Sequence, residues 1–296
     1  MAVQGLRVRL CASDIAERTE RHRGRVGRVL DDHPARTRDG SPHPVWDFLF
    51  RYYSHKPALL MRWHPGYGVD LDMPTEHADY PHYVPSADGD AVTVDPAYLE
   101  TRSRTVGFVD GLLRATADRA PRLNCFGMHE WAMVYRAPAS DIRHRTPLRL
   151  SAADTDAAVE ASELRCTHFD AFRFFTEPAG PRNLMSLTRE TQVDSEQPGC
   201  VHAGMDLYKW AYKLSPLIGS DLVVDALEVA FDLRELDMRA SPYDFAALGF
   251  APIAVETPAG RAEYVRQQAT LTDHAALIRR RLIDSCAGLI DRQPPR

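Results

Sequence analysis

The sequence predicts a mainly helical α+β protein built as one compact unit. Apolar residues recur at helical spacing over several long segments, no β-α-β alternation or internal repeat is found, and only short stretches read as strands. The chain has 296 residues, 44% of them hydrophobic and 26% charged, which gives enough apolar surface for a large core and excludes disordered and fibrous classes. The 41 acidic residues outnumber the 36 basic ones, so bulk coating of nucleic acid is not expected. No run approaches the ~18–20 apolar residues that span a bilayer. The start, Met1 to Leu10, is too polar for a signal peptide, and a cytoplasmic location without a membrane partner is the expectation. Cys11, Cys125, Cys166, Cys200 and Cys286 form no C-x-x-C pair, so neither a disulfide framework nor a thiolate zinc ribbon is indicated.

Residues 1–42 read as an Arg- and Asp-rich helical arm that ends in turns at His33-Pro34 and Asp39-Gly40, and residues 43–290 as a single catalytic domain. Positions 45, 48, 49, 52 and 53 form one apolar helical face with Pro44 in the first turn. From Pro57 to Tyr98 the chain is rich in turn residues and too long for a connector, so it is expected to border or cover a pocket. Helices are expected over 97–118, 152–163 with Ser151 as its cap, 203–214, 220–238 and 259–286. Strands are expected at 133–135, 148–150 and 253–256.

Four segments combine histidine, carboxylate and aromatic residues: Arg62 to Gly68, Gly127 to Trp131, Cys166 to Phe175, and Cys200 to Trp210. His202 and Asp206 are four apart, which places both on one helix face. His168 and Asp170 are two apart, and in a strand they would share a face. His129, His168, His202, Asp170 and Asp206 together offer imidazole and carboxylate ligands for a divalent metal, Fe(II) first, with Zn or Mn as alternatives. A lone histidine on an apolar face is more often a hydrogen-bonded core residue, so the proposal rests on convergence of the set.

Glu130, Asp170 and Asp206 are the candidate catalytic carboxylates, and Trp131, Tyr208 and Trp210 the candidate pocket wall. Arg173 or Arg239 would hold a substrate anion. Arg173, between two phenylalanines, is expected to need a carboxylate partner or an anionic ligand. The polar stretch from Thr188 to Gly199 would either recognise substrate or, as such stretches more often do, form a solvated loop, and Asp206 has Lys209 as an alternative ion-pair partner. The function so indicated is a metal-dependent oxidoreductase acting on a small polar or anionic molecule.

Several of the same segments, among them His43 to Ser54, Cys125 to Arg136, His168 to Thr176, Glu196 to Gly199, Met205 to Ala211 and Leu236 to Asp244, resemble a family of actinobacterial proteins commonly labelled 3-methyladenine DNA glycosylase. The resemblance implies the alternative function, a metal-independent N-glycosidic hydrolase with nucleic acid as partner. One carboxylate, Asp170 or Asp206, would activate water, and the aromatic set would hold the base.

Overall fold

The chain begins with a strand, β1 (Val8–Leu10), and a long helix, α1 (Ala12–Asp32). The computed structural model describes residues 8–138 and 146–293; most of the polar start, residues 1–7, lies outside the described residues. In α1, Ile15, Thr19, His22, Val26 and Val29 are buried at three- and four-residue steps, so one stripe faces inward. This arm belongs to the main body. β1 pairs in parallel with β2 (Val69–Asp72), with Val8 opposite Val69, and α1 packs on α10 (Ser220–Ala240).

The apolar face after Pro44 forms a helix shorter than expected, α2 (Asp47–Arg51). The stretch from Pro57 to Tyr98 departs most from expectation. It folds into α3 (Pro57–Leu60), β2, β3 (Tyr83–Pro85) and β4 (Ala91–Val94), and the four strands make one sheet in the order β1-β2-β4-β3. β4 is antiparallel to both neighbours, with Asp70 opposite Thr93 and Tyr83 opposite Val94. Strands of three or four residues are too short to leave an alternation signal, so long-range pairing decides them. The strands expected elsewhere do not form: Leu148 makes only an isolated bridge to Tyr243, and residues 133–135 are a turn. Residues 253–256 carry no strand either.

Every expected long helix is present, and side-chain caps set several starts. Asp95 accepts from the Ala97 amide (2.9 Å) ahead of α4 (Pro96–Ala117), and Ser151 accepts from Asp154 (3.1 Å) ahead of α6 (Ala152–Glu160). Thr257 accepts from Gly260 (3.1 Å) ahead of α11 (Pro258–Ile290). Gly260 is required there, because a side chain would run into the Ala254 carbonyl. Three short helices, α5 (Met128–Ala132), α7 (Phe169–Phe172) and α8 (Gln192–Ser195), lie between the long ones. α9 (Val201–Leu214) is buried along nearly its whole length, packs most extensively on α10, and is also touched by α11, which runs along α4 and α10. Among the described residues, no helix is long and apolar enough to cross a membrane.

Candidate functional site

Helix α9 carries His202, Asp206 and Lys209 at steps of four and three, so they share one face inside the protein. Arg234 and Asp237 come from α10 beside it, and His129 and Glu130 from the short α5. His168 immediately precedes α7, and Glu196 immediately follows α8. All nine side chains are buried. They sort into two adjoining groups.

In the first group, His129, Glu130, His202 and Asp237 each offer a nitrogen or oxygen within 4.8 Å of the others. His129 Nε2 lies 2.8 Å from Asp237 Oδ1 as a buried ion pair. Among the described residues, His202 Nδ1 has no hydrogen-bond partner. Arg234 Nη1 donates to Asp237 Oδ2 at 3.3 Å and lies 3.5 Å from Glu130 Oε1.

The second group is His168, Glu196 and Asp206, again within 4.8 Å of one another. His168 Nε2 is 3.2 Å from Asp206 Oδ2 and 3.4 Å from Glu196 Oε1. Here the carboxylates are well supplied with donors. Lys209 Nζ contacts Asp206 Oδ2, the Tyr53 hydroxyl donates to Asp206 Oδ1 (2.8 Å), and Gln192 Nε2 donates to Glu196 (2.6 Å). The His202 ring links the groups: its centroid is 4.4 Å from that of His129 and 5.4 Å from that of His168.

Four buried carboxylates, Glu130, Glu196, Asp206 and Asp237, thus have two fixed cations in contact, Lys209 and Arg234. Two negative charges remain to be met by protons or by an ion. Burial disfavours charge on His129, but Asp237 outweighs it and holds the imidazole pKa well above its ordinary value. Burial is likewise outweighed at His168, by Glu196 and Asp206. Burial raises Glu130, with Asp237 adding, and raises Glu196 against the pull of His168. Burial also opposes charge on Asp206 and Asp237. Lys209 nevertheless takes Asp206 well below the carboxylate range, and His129 takes Asp237 down to about 2. His202 goes the other way: burial, then the charge on His129, holds it well below its usual value, so it is a neutral imidazole, the form that binds metals.

Cys125, Cys166, Phe175 and Cys200 line a crevice with His129 and His202. Its volume of about 10 Å³ is the room that one water needs. Burial pushes the Cys166 thiol up to about 11 and the Cys200 thiol well above its ordinary value, and among the described residues no cysteine sulfur joins either group of ligand atoms.

The expected single constellation is therefore divided. His129 meets His202, and His168 meets Asp206, in neighbouring groups; Glu130 stands inside the first. Asp170 belongs to neither. His168 and Asp170 do not share a strand face, because α7 starts between them. Asp170 pairs instead with Arg189 (2.5 Å) and Arg173 (3.2 Å), with Lys209 Nζ 3.6 Å away. Arg173 has the carboxylate partner expected of it, but its side chain is 42% exposed and lies over the Phe174 ring.

Arg239 is turned away from the site and donates to the Ala251 carbonyl (2.9 Å) and to Glu235 (3.3 Å). Two residues beyond Asp237 on the same helix is about 200° round the axis. Trp131 Nε1 is bonded to the Ala240 carbonyl, Tyr208 to His55 Nδ1, and Trp210 packs beneath Lys209 and Lys213; none of the three lines the crevice. The supposed solvated loop holds Gln192, Glu196 and Gln197, all buried. Glu196, Arg234 and Asp237 were not read as site residues; the available signal was an Arg and an Asp three apart within the apolar pattern of α10. Set against models of known families, curated proteins and solved structures, the chain matches none, and the chemistry of the site rests on its own geometry.

Proposed function

We propose that this protein is a divalent-metal-dependent enzyme acting on a small polar or anionic substrate, with the ion held by His129, Glu130, His202 and Asp237. The observation that carries the reading is that His129, Glu130, His202 and Asp237, drawn from three helices and all buried, each bring a nitrogen or oxygen within 4.8 Å of the others. Ligand atoms converge in this way around a cation. Two imidazoles and two carboxylates suit Fe(II) first, with Mn(II) or Zn(II) as alternatives, and a divalent ion would displace the proton that Asp237 holds on His129, leaving that imidazole neutral to ligate. Arg234, between Glu130 and Asp237, would orient both carboxylates. His168 is held by Asp206 through Nε2 while its Nδ1 has no partner among the described residues, an arrangement suited to proton transfer beside the ion. Oxidation is the proposed reaction class, because Fe(II) on a His/carboxylate set with an open position binds dioxygen.

The test is metal analysis by mass spectrometry on protein prepared without a polyhistidine tag. One ion per chain is expected, lost in His202→Ala and in Asp237→Asn and retained in His168→Gln. Trace metal indifferent to His202→Ala and Asp237→Asn would sink the reading. The N-glycosidic alternative would instead give base release from alkylated DNA that survives EDTA and disappears with Asp170→Asn or Asp206→Asn. The partners of those two carboxylates favour the metal reading, since Arg189 occupies one and Lys209, Tyr53 and His168 the other.

A further inference from the structure

The buried face of α11 is polar where a core helix would ordinarily be apolar. Tyr264, Gln268, Thr272 and Arg279 lie along it, none more than 9% exposed. Gln268 Nε2 donates to the Gly199 carbonyl (2.7 Å), and the Thr272 hydroxyl to the Gln268 carbonyl (2.8 Å). Arg279 differs. It is 2% exposed, makes no hydrogen bond or ion pair with any described residue, and its Nε and Nη2 are both buried without a partner. Burial lowers its pKa to about 10, which still leaves it charged at neutral pH. The ionisable groups that act on it are Glu196 and Cys200. Glu196 is already engaged by Gln192 and His168. An almost wholly buried guanidinium with two donors unpartnered among the described residues is among the costlier arrangements a fold can hold, so a counter-anion from outside the chain is called for.

We propose that Arg279 anchors an internal oxyanion site and that its ligand is a small carboxylate. The two bare donors are the pair that matters. Nε–H and Nη2–H point from the same edge of the guanidinium, and that fork matches the two oxygens of a carboxylate in a bidentate pair. Neither Arg173 nor Arg239 offers this, because each has its donors engaged at the surface or by carbonyl oxygen. The site shares no residue with the metal ligands proposed above, and its test is run on metal-stripped as well as as-purified protein, so one can fail without the other.

The full chain is titrated with sodium acetate and, separately, with sodium phosphate, each against sodium chloride of equal ionic strength, with melting temperature and calorimetry as readouts. Acetate is expected to raise the melting temperature saturably in the wild type, with and without EDTA. Arg279→Met should abolish that response and, with no added anion, melt no lower than the wild type, since it removes an unpaired charge. Arg279→Lys keeps the charge but lacks the fork and should bind acetate about tenfold or more weakly. If Arg279→Met does not fold, the Arg279 Nε–H resonance of the wild type replaces it and should move as acetate saturates. Saturation by phosphate alone overturns the carboxylate assignment. Three results overturn the site itself: no saturable response, an unchanged response in Arg279→Met, or a fixed Nε–H resonance.

Discussion

Leu233 of α10 fills the space that a side chain on Gly204 of α9 would need; a methyl group placed there would collide with Leu233 Cδ1. The glycine therefore lets the two helices approach closely, and this approach brings His202 of α9 toward Asp237 of α10. Gly204→Ala is expected to cost about 1 kcal/mol in urea unfolding, because the crowding that turns Leu233 aside in a packed core outweighs the better helix propensity of alanine. It should also weaken metal uptake. In a Leu233→Ala background the same glycine substitution should cost less than in the wild type, and an alanine variant as stable as the wild type would show that the helices have room to spare.

Lys209 neutralises the second group, so its removal should act on stability rather than on the ion. Lys209→Met leaves Asp206 without its ammonium partner, and breaking a buried pair in this way costs about 3–5 kcal/mol. Denaturant unfolding checks the loss, and metal content measured on the folded fraction should stay at the wild-type level. A drop in metal equal to that of His202→Ala would mean that the two groups act as one site.

Removal of the ion should loosen the fold, because the ligands converge only in the native state. Saturation at a hundred times Kd stabilises by about 2.7 kcal/mol, and EDTA should abolish that increment. Scanning calorimetry of Asp237→Asn should show no difference between EDTA and added Fe(II) or Mn(II). A difference as large as in the wild type would place the ion elsewhere.

A separate set of histidines predicts how stability varies with pH. Burial holds His55 at about 4 and His64 at about 3. Burial also lowers His22 and His77, despite the carbonyls of Leu60 and Trp63. In the unfolded chain these groups take up a proton near pH ~6.5. The unfolded state thus binds more protons than the fold below that pH. Stability is complete above pH ~6.5 and falls as the pH drops toward 4, by up to about 1.4 kcal/mol per pH unit for each histidine that stays neutral. His129 and His168 are raised instead, so their contribution is present throughout this window and is lost only as the pH rises through their folded values. Urea midpoints at pH 7, 6 and 5 measure the slope, which should shrink in His64→Asn. A flat profile would contradict the neutral assignments.

The long helices were legible because their signals are local. The apolar spacing of α4, α9, α10 and α11 and the Asp95-Pro96, Ser151 and Thr257-Pro258 starts lie within a few residues of what they determine. The same locality made His202 and Asp206 readable as one helix face and Lys209 as a partner. The sheet was hidden, since β1 and β2 recognise each other only across α1, α2 and α3. The division of the histidines between Asp237 and the Glu196–Asp206 pair was hidden for a related reason. It depends on the closeness of α9 to α10 and on where the short helices α5, α7 and α8 aim their neighbours. Arg279, Arg280 and Arg281 are identical in the sequence, yet only the first is buried. Composition and periodicity determined that this chain forms long helices carrying imidazole and carboxylate groups. Which of those groups meet, and which charge is left alone inside, was decided by packing, because burial and pairing are properties of distances between segments and not of the segments themselves.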